Sequence, residues 1–428
     1  MKKYINPSEN TWASLCERPQ METKEIERIV SLILEKVKKE GDSALLAYAE
    51  IYEGCKLDSL LVTPTELKLA AVCVPIALKK AIKKAKSNIK KFHETQLLSE
   101  VKIKTSKGVS CWRKSVAIEK VGLYIPGGTA PLFSTILMLG IPAKLAGCKE
   151  IVLCTPPRKD GTIAPEILFT AQLVGIKKIV KVGGAQAIAA MAYGTESIPK
   201  VYKIFGPGNQ YVTKAKQLVQ QTGIAIDMPA GPSEVLVIAD RSCDPSFVAA
   251  DLLSQAEHGE DSQVVLLSND EAIIEKIITL VAFQLEKLSR KEIAKKALEN
   301  SFSVVFKKME ECFQFSNEYA PEHLIVASKN AERYSDSIIN AGSVFLGNYS
   351  CESAGDYASG TNHTLPTNGY AKNYSGVSVD SFCKKITFQK ITKKGIQKIG
   401  PVIEIMAAAE GLDAHKNAVT VRLNALKS

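Results

Sequence analysis

From residue 116 onward, the chain alternates short apolar runs with segments of helical periodicity. This pattern is typical of a parallel α/β sheet, in which a helix follows each buried strand. The first series of strand-like runs covers residues 117–125, 150–154, 178–182, 201–205 and 234–238. The second series covers residues 262–267, 302–306, 323–327 and 343–346. The sequence therefore predicts two α/β units in tandem.

The segment before residue 116 has a helical pattern instead. Apolar residues recur at helical spacing over residues 23–39, and Asp42 is placed to begin a second helix. Thr63-Pro-Thr-Glu66 has the pattern of a capping box, and Pro75 is placed to open a long lysine-rich helix. The first hundred residues therefore predict a helical layer. The tail beyond residue 378, with a last helical segment around 403–410, is too short to form a domain alone.

The composition is that of a globular protein with a sizeable core, because 46% of the 428 residues are hydrophobic and 23% are charged. These fractions exclude an intrinsically disordered chain. The net charge of +10 comes mainly from lysine pairs beside apolar residues, as on solvated helix faces. Because the basic residues form no aromatic-rich stripe, we expect no nucleic-acid partner.

The sequence also predicts a soluble protein. The most apolar segment, 131–147, is interrupted by Ser134, Pro142 and Lys144 and is too short to cross a bilayer, so we expect no membrane association. The N-terminus lacks the apolar run of a signal peptide. The ten cysteines include no C-x-x-C pair, which favours reduced thiols and a cytoplasmic location.

Residues 245–258 have the pattern of a complete helix. Asp244 suits the N-cap, Pro245 suits the first helical position, and Gly259 suits a left-handed residue that closes the helix. Gln255 and His258 are three residues apart, so both side chains should share one face of the last turn. This spacing suits two ligands of one ion, although an ordinary surface helix that carries a histidine has the same pattern.

Glu322 and His323 are adjacent titratable residues at the start of an apolar run, which makes them candidates for general acid and base catalysis. Neighbours in a strand point to opposite faces, so a loop conformation at Pro321 would be needed to direct both towards one site. A structural pair is the alternative.

Two further polar segments follow. The glycine-punctuated loop 351–363 offers the carboxylate of Asp356, and Gly411 should end a helix and leave Glu410 and His415 on a mobile segment. Together with Gln255 and His258, the residues Asp356 and His415 would supply two imidazoles, one carboxylate and one amide. Two histidines and an aspartate suit zinc or a similar ion, whereas an amide oxygen is a weak zinc ligand. None of the spacings is a specific metal motif.

Three glycine-rich turns follow strands of the first series and carry Tyr124, Gln186 and Asn209. Backbone amides in such turns approach phosphates closely, and a following helix N-terminus favours negative charge. The three turns have the features of a dinucleotide site, but the pattern Gly-x-Gly-x-x-Gly is missing, so they favour a nucleotide only slightly over another anion, and tight turns alone are the alternative.

Seven segments, taken in order, resemble the histidinol dehydrogenase family over nearly the whole chain. They are GGAQA (183–187), GPGN (206–209), PAGPSE (229–234), SQAEHG (254–259), APEH (320–323), AGDYASGTNH (354–363) and GLDAH (411–415). The resemblance implies a zinc-dependent enzyme that oxidises L-histidinol to L-histidine through L-histidinaldehyde with two NAD+. It also implies two incomplete Rossmann-like domains, small terminal segments and an intertwined homodimer.

The resemblance also implies roles for individual residues. The implied metal ligands are Gln255, His258, Asp356 and His415, and the implied NAD contacts are Tyr124, Gln186 and Asn209. The implied catalytic residues are Glu322 and His323. The substrate would be bound by Ser233, Gln255, His258, His323, Asp356, Glu410 and His415. This sequence departs from the family pattern at none of these positions.

The expected domain ranges follow the same resemblance. Residues 1–22 form an N-terminal segment, 23–115 together with 240–377 a discontinuous first α/β domain, and 116–239 the second. Residues 378–428 form a dimerisation segment.

Three other functions are compatible with parts of the pattern. A metal-dependent hydrolase could use the same His, Asp and Glu residues to activate water, but it leaves the glycine turns without a purpose. A two-lobed α/β binding protein fits the architecture but not the clustered titratable residues. Cysteine chemistry at Cys154 is disfavoured because a cysteine at the end of a buried strand is usually packed in the core.

Overall fold

The computed structural model describes residues 1–18, 23–97, 99–127, 131–229 and 231–427. Its strands are β1 (Lys2–Ile5), β2 (Lys102–Ser106), β3 (Val109–Ala117), β4 (Lys120–Tyr124), β5 (Glu150–Thr155), β6 (Lys178–Lys181), β7 (Lys203–Phe205), β8 (Ala225–Ile226), β9 (Glu234–Ala239), β10 (Gln263–Ser268), β11 (Phe302–Val305), β12 (His323–Ala327), β13 (Ser343–Leu346) and β14 (Cys383–Ile391). Its α-helices are α1 (Trp12–Leu15), α2 (Thr23–Glu40), α3 (Asp42–Tyr48), α4 (Pro64–Cys73), α5 (Ile76–Glu94), α6 (Phe133–Ala146), α7 (Pro165–Val174), α8 (Gly184–Tyr193), α9 (Gln210–Gln220), α10 (Pro245–Ala256), α11 (Glu271–Leu285), α12 (Lys291–Glu299), α13 (Met309–Tyr319), α14 (Glu352–Tyr357), α15 (Lys393–Ala409) and α16 (Asp413–Asn424).

Two parallel sheets dominate the fold, which confirms the predicted α/β class. The five-stranded sheet has the order β6-β5-β4-β7-β8, and the six-stranded sheet has the order β1-β11-β10-β9-β12-β13. In the five-stranded sheet, the chain runs outward from β4 through β5 to β6 and then returns to the other side of β4 for β7 and β8. In the six-stranded sheet, it runs outward from β9 through β10 to β11 and then returns to the other side of β9 for β12 and β13. The topological switch points therefore lie between β4 and β7 and between β9 and β12, where open α/β sheets bind ligands at the carboxyl ends of their strands.

Each of the predicted strand runs coincides with an observed strand to within a few residues, except that the run 117–125 is divided. β3 ends at Ala117 and β4 begins at Lys120, so this run serves two different sheets. The predicted capping box is also confirmed, because Thr63 Oγ1 accepts from the Glu66 N–H at 3.2 Å and the Glu66 carboxylate accepts from the Thr63 N–H at 2.8 Å.

The N-terminal helices cover the five-stranded sheet. α2 and α3 pack with α8 and α9 over one face, whereas α4 and α5 pack with α6 and α7 over the other. Apolar residues of α2, such as Val30 and Val37, are buried against the alanine-rich helix α8. The small alanine side chains allow the two helices to approach closely.

The sheets divide the chain differently from the expected domain ranges. β9 lies in the expected 116–239 unit, yet it pairs with β10 and β12 of the six-stranded sheet. The helical residues 23–94, expected with 240–377, instead cover the five-stranded sheet. β1 from the N-terminal segment pairs with β11 at the edge of the six-stranded sheet. Local patterns do not encode these pairings, because the partners are far apart in the sequence.

A third, antiparallel sheet was not predicted. It has the order β14-β3-β2, and β14 pairs with β3 from Cys383↔Ala117 to Ile391↔Val109. The helical pair α15 and α16 follows, with exposed apolar residues that include Val402, Ile405 and Met406. Within the described ranges, no helix has both the length and the apolar character needed to cross a membrane.

Candidate active site

Glu322 and His323 lie where the chain enters β12. The preceding turn contains Ala320 in a left-handed conformation with φ of 52°, which costs free energy for a residue other than glycine. This turn directs the side chains of Glu322 and His323 towards each other, so that Glu322 Oε2 lies 3.6 Å from His323 Nδ1. The loop conformation that the sequence required at Pro321 is therefore present.

The main chain of Glu234, at the start of β9, holds this pair. Its N–H donates to Glu322 Oε2 at 2.9 Å, and its carbonyl oxygen accepts from His323 Nδ1 at 3.2 Å. Because Nδ1 is used in this way, Nε2 of His323 is directed away from the strand and towards Asp356 Oδ1, at 3.5 Å. The Glu322–His323 pair thus lies at the amino end of the six-stranded sheet, opposite the end that its switch point favours.

Helix α14 brings two carboxylates to the same place. Ligand atoms of Glu352, Asp356 and His258 all lie within 4.8 Å of one another. Glu352 was not predicted, although its spacing of four residues from Asp356 places both side chains on one face of a helix. That spacing is the sequence signal that could have identified it.

Helix α10 carries Gln255, and His258 follows it in the chain. The helix ends earlier than predicted. Its last residue is Ala256, and Gly259 is not among the left-handed glycines, so the expected closing turn at Gly259 is wrong. His258 lies just beyond the helix, and its N–H donates to the Gln255 carbonyl at 3.2 Å. Gln255 in the last turn is buried, whereas His258 is exposed as a residue although surrounding protein atoms desolvate its ring.

Several polar atoms of this cluster are buried without a hydrogen-bond partner in the described part of the chain. They are both amide atoms of Gln255, Nε2 of His323, Oε2 of Glu352 and Oδ1 of Asp356. A buried polar atom without a partner costs roughly 1–3 kcal/mol. Such atoms are therefore rarely concentrated in one place unless a ligand engages them.

The charges in the cluster influence one another strongly. Burial raises the pKa of Glu322 to about 8, although His323 opposes this effect. Burial lowers the pKa of His323, but the carboxylates of Glu322, Glu352 and Asp356 outweigh it and raise the pKa overall. Desolvation lowers the pKa of His258, against the opposing effect of Asp356, and so favours the neutral imidazole that binds metals.

His363 forms a hydrogen bond with the main chain of Asp356. Its Nδ1 donates to the Asp356 carbonyl oxygen at 2.9 Å, and its Nε2 lies 3.1 Å from the hydroxyl of Thr135 on α6. The hydroxyl donates here, because a neutral imidazole with a proton on Nδ1 accepts at Nε2. No role was predicted for His363, since its contacts join segments that are remote in the chain.

The predicted substrate residues are not all brought together within one chain. Ser233 precedes Glu234 at the amino end of β9 and is therefore near Glu322 and His323. Glu410, the C-cap of α15, and His415 on α16 are both exposed. Among the described residues, the cluster that could hold a metal ion does not include His415.

The predicted dinucleotide turns lie at the carboxyl end of the five-stranded sheet. Tyr124 ends β4, and its hydroxyl accepts from the Gly184 N–H at 3.1 Å. Gln186 is buried in the first turn of α8. Asn209 is the N-cap of α9, where Oδ1 accepts from the N–H groups of Tyr211 and Val212, both at 3.1 Å. Residues 128 and 129 of the first turn lie outside the described residues.

A buried ion pair fixes the turn that follows β7. Lys216 forms an ion pair with Asp227, and the two side chains are 4% and 1% exposed. Lys216 Nζ also donates to the Gly206 carbonyl at 2.9 Å, while the Gly206 N–H donates to Asp227 Oδ2 at 2.8 Å. Gly206 has φ of 132° and lies against the Tyr124 carbonyl, so a side chain at this position would clash. Buried charges and a glycine without space for a side chain therefore hold the turn after β7 in place at the switch point.

Two other residues have structural roles. Burial raises the pKa of the Cys154 thiol to about 12, so this cysteine is not a nucleophile at neutral pH. His93 is fully buried, with Nδ1 2.9 Å from Gln96 Oε1 and Nε2 3.3 Å from Asn362 Nδ2. His93 lies outside the glycine-rich segments of the sequence, a position that predicts a surface residue, and its burial shows that this prediction is wrong.

Comparisons with known proteins agree with the resemblance in the sequence. A model of the histidinol dehydrogenase family matches residues 16–423. Histidinol dehydrogenase of Bacteroides thetaiotaomicron is 60% identical over 427 residues, which cover 100% of both chains. That of Salmonella typhimurium is 52% identical over 417 residues, which cover 97% of this chain and 95% of the relative.

The fold also matches a solved structure over its whole length. The crystal structure of histidinol dehydrogenase from Elizabethkingia anophelis has a TM-score of 0.98 to this chain at 60% identity. The match covers 100% of this chain and 99% of that chain. On the family model, the full-length identity and the shared fold, the chain belongs to the histidinol dehydrogenase family.

Proposed function

We propose that the protein oxidises L-histidinol to L-histidine through L-histidinaldehyde, with two NAD+ as hydride acceptors and zinc as the resident metal. The observation that carries the proposal is the convergence of His258, Glu352 and Asp356 with the pair Glu322 and His323. Oxidation of an alcohol requires a base for the hydroxyl proton and a fixed substrate position. The cluster offers both within one site.

The donor atoms fit a zinc ion. His258 and Asp356 supply a nitrogen and an oxygen within reach of one ion, and the unpartnered amide of Gln255 supplies a further oxygen. When bound, the ion would hold the imidazole and amine of the substrate, a task that requires less Lewis acidity than the activation of water. This explains why a weak amide ligand is acceptable.

The NAD site in this proposal is the crevice at the switch point of the five-stranded sheet. Tyr124 and the Gly206 turn lie on its two sides, and Gln186 and Asn209 lie at the first turns of α8 and α9. Helix N-termini favour the negative charge of a pyrophosphate. The proposed contacts with NAD are those of Tyr124, Gln186 and Asn209.

The proton transfers are assigned to two residues. His323 accepts the hydroxyl proton through Nε2 while a hydride leaves the same carbon, since Nδ1 is held by Glu234. Water then adds to the aldehyde, and Glu322 is positioned to remove a proton from that water. His323 acts again when the hydrate loses its hydride. Ser233 and Glu410 complete the proposed substrate contacts.

A homodimer is part of the proposal, because His415 and Glu410 are exposed and far along the chain from the other donors. In an intertwined dimer, His415 of the partner subunit would be the fourth metal ligand. The apolar residues exposed on α15 are suited to such a contact. We also propose a cytoplasmic location, since all ten cysteines are free thiols.

Subunit mixing tests this shared site. His415→Ala and His323→Ala proteins should each be inactive, whereas subunit exchange between them should restore activity to about one quarter of the wild-type value. Half of the dimers are then mixed, and one of the two sites in each is intact. The measurement is NADH formation after exchange. Mixed dimers without restored activity would show that each site is built within one chain.

The reaction itself is tested by its stoichiometry. With limiting L-histidinol and excess NAD+, we expect two NADH per L-histidinol, because the conversion removes four electrons. Removal of the metal by a chelator should abolish NADH formation, and added zinc should restore it. A yield of one NADH, or activity that is unaffected by metal removal, would contradict the proposal. A metal-dependent hydrolase would produce no NADH.

A further inference from the structure

The side chain of Arg18, near the end of the N-terminal segment, donates four hydrogen bonds to other groups of the protein. Its Nε and one terminal nitrogen donate to the two carboxylate oxygens of Glu234, at 3.0 and 2.9 Å. The same terminal nitrogen donates to the Tyr319 carbonyl at 2.7 Å, and the other donates to the Cys16 carbonyl at 2.8 Å. The guanidinium also stacks on the Tyr319 ring at 3.6 Å.

This ion pair is buried and isolated from solvent. The side chains of Arg18 and Glu234 are only 7% and 1% exposed. One oxygen of Glu234 also accepts from the Asn368 N–H at 2.8 Å, so three segments of the chain meet at this carboxylate. Buried ion pairs are weak evidence for stability, because desolvation of the two charges offsets much of their attraction. A function other than stability is therefore reasonable.

Glu234 connects the ion pair to the catalytic pair through its own peptide groups. The N–H of Glu234 holds the Glu322 carboxylate, and its carbonyl holds Nδ1 of His323. The side chain of Glu234 is thus fixed by Arg18, while its main chain fixes both groups that carry protons in the proposed reaction. A shift of Glu234 would move Glu322 and His323 together.

We propose that Arg18 is a positioning residue for the catalytic pair, acting through Glu234. This inference rests on the proposed function, since it assigns Arg18 a part in the same two oxidations. Arginine is needed because its planar group binds both carboxylate oxygens and stacks on Tyr319 at the same time. A lysine would keep the positive charge but lose the bidentate hydrogen bonds to the Glu234 carboxylate.

The test is Arg18→Lys in the full-length protein. We expect kcat for both oxidations to fall by about 10- to 100-fold, the usual effect of releasing a supporting contact, with KM for L-histidinol changed by less than about threefold. The matched control is Arg28→Lys, since Arg28 binds both oxygens of Glu25 on the exposed face of α2. That variant should keep the wild-type kcat.

A double variant separates positioning from a general loss of stability. If Arg18 acts through the pair, its substitution should cost little further activity in alcohol oxidation, which uses His323 alone, when His323 is already asparagine. Equal fold losses in the two backgrounds would overturn the inference, as would an Arg18→Lys enzyme with wild-type kcat. If Arg18→Lys does not fold, Glu234→Gln permits the same comparison.

The result is distinct from a failure of the proposed function. If the function is wrong, the wild-type protein itself will form no NADH from L-histidinol. If only this inference is wrong, the wild-type protein will be active and the Arg18→Lys variant will be equally active. Thermal unfolding of each variant, followed by circular dichroism, reports whether the fold is intact.

Discussion

Replacement of His323 by asparagine is expected to lower kcat for both oxidations by about 10²- to 10⁴-fold, the usual contribution of a general base. The imidazole lies between the Glu234 carbonyl and Asp356 Oδ1, so its Nε2 is directed to the place where the metal-binding side chains converge. Asparagine can still donate to the Glu234 carbonyl, but it cannot accept a proton at neutral pH. Both half-reactions require that proton transfer.

The measurement is kcat with L-histidinol and, separately, with L-histidinaldehyde. His93→Asn is a matched control, because His93 is a buried imidazole with hydrogen-bonding roles only. It should lower the thermal unfolding midpoint with little effect on kcat. If His323→Asn retains kcat within about tenfold for either oxidation, the assignment of His323 as the shared base fails.

Replacement of Glu322 by glutamine should separate the two oxidations. Oxidation of the alcohol should remain near the wild-type rate, whereas oxidation of the aldehyde should fall by about 10²- to 10⁴-fold, because only the second step consumes water. Glutamine preserves an oxygen that accepts from the Glu234 N–H, so the position of the side chain should persist. The basic carboxylate is what the substitution removes.

The environment of Glu322 suits this role. Burial raises its pKa to about 8, close to the pH at which a base can both take up and release a proton, while His323 opposes the shift. Rapid-mixing measurements that follow NADH should show one hydride transferred quickly in Glu322→Gln, followed by a slow second transfer. Glu318→Gln, on the exposed face of α13 beside Lys372, is the matched control. Equal losses in the two steps would refute the division of roles.

The sequence determined the local elements and most of the residues of the candidate site. Apolar runs identified both series of strands, because burial of a strand on both faces requires them. The capping residue Asp244 identified the start of α10, where its side chain accepts from the Ser246 N–H. Glu322, His323, His258 and Asp356 were recognised from the ordered motifs, and the structure brings these four residues together.

What the sequence left open is set by contacts between distant segments. The pairing of β9 with β12, the covering of the five-stranded sheet by α2–α5, and the antiparallel sheet of β2, β3 and β14 all join residues that no local pattern links.

Tertiary structure also decided the groups around the site. Glu352 joins the cluster that could hold a metal ion, His363 supports Asp356, and Arg18 reaches Glu234 from 216 positions away in the chain. Hydrogen bonds and charge pairs act over a few ångströms in space, whatever the separation along the chain. Local periodicity records which residues are buried, but only the folded chain determines which buried polar groups meet.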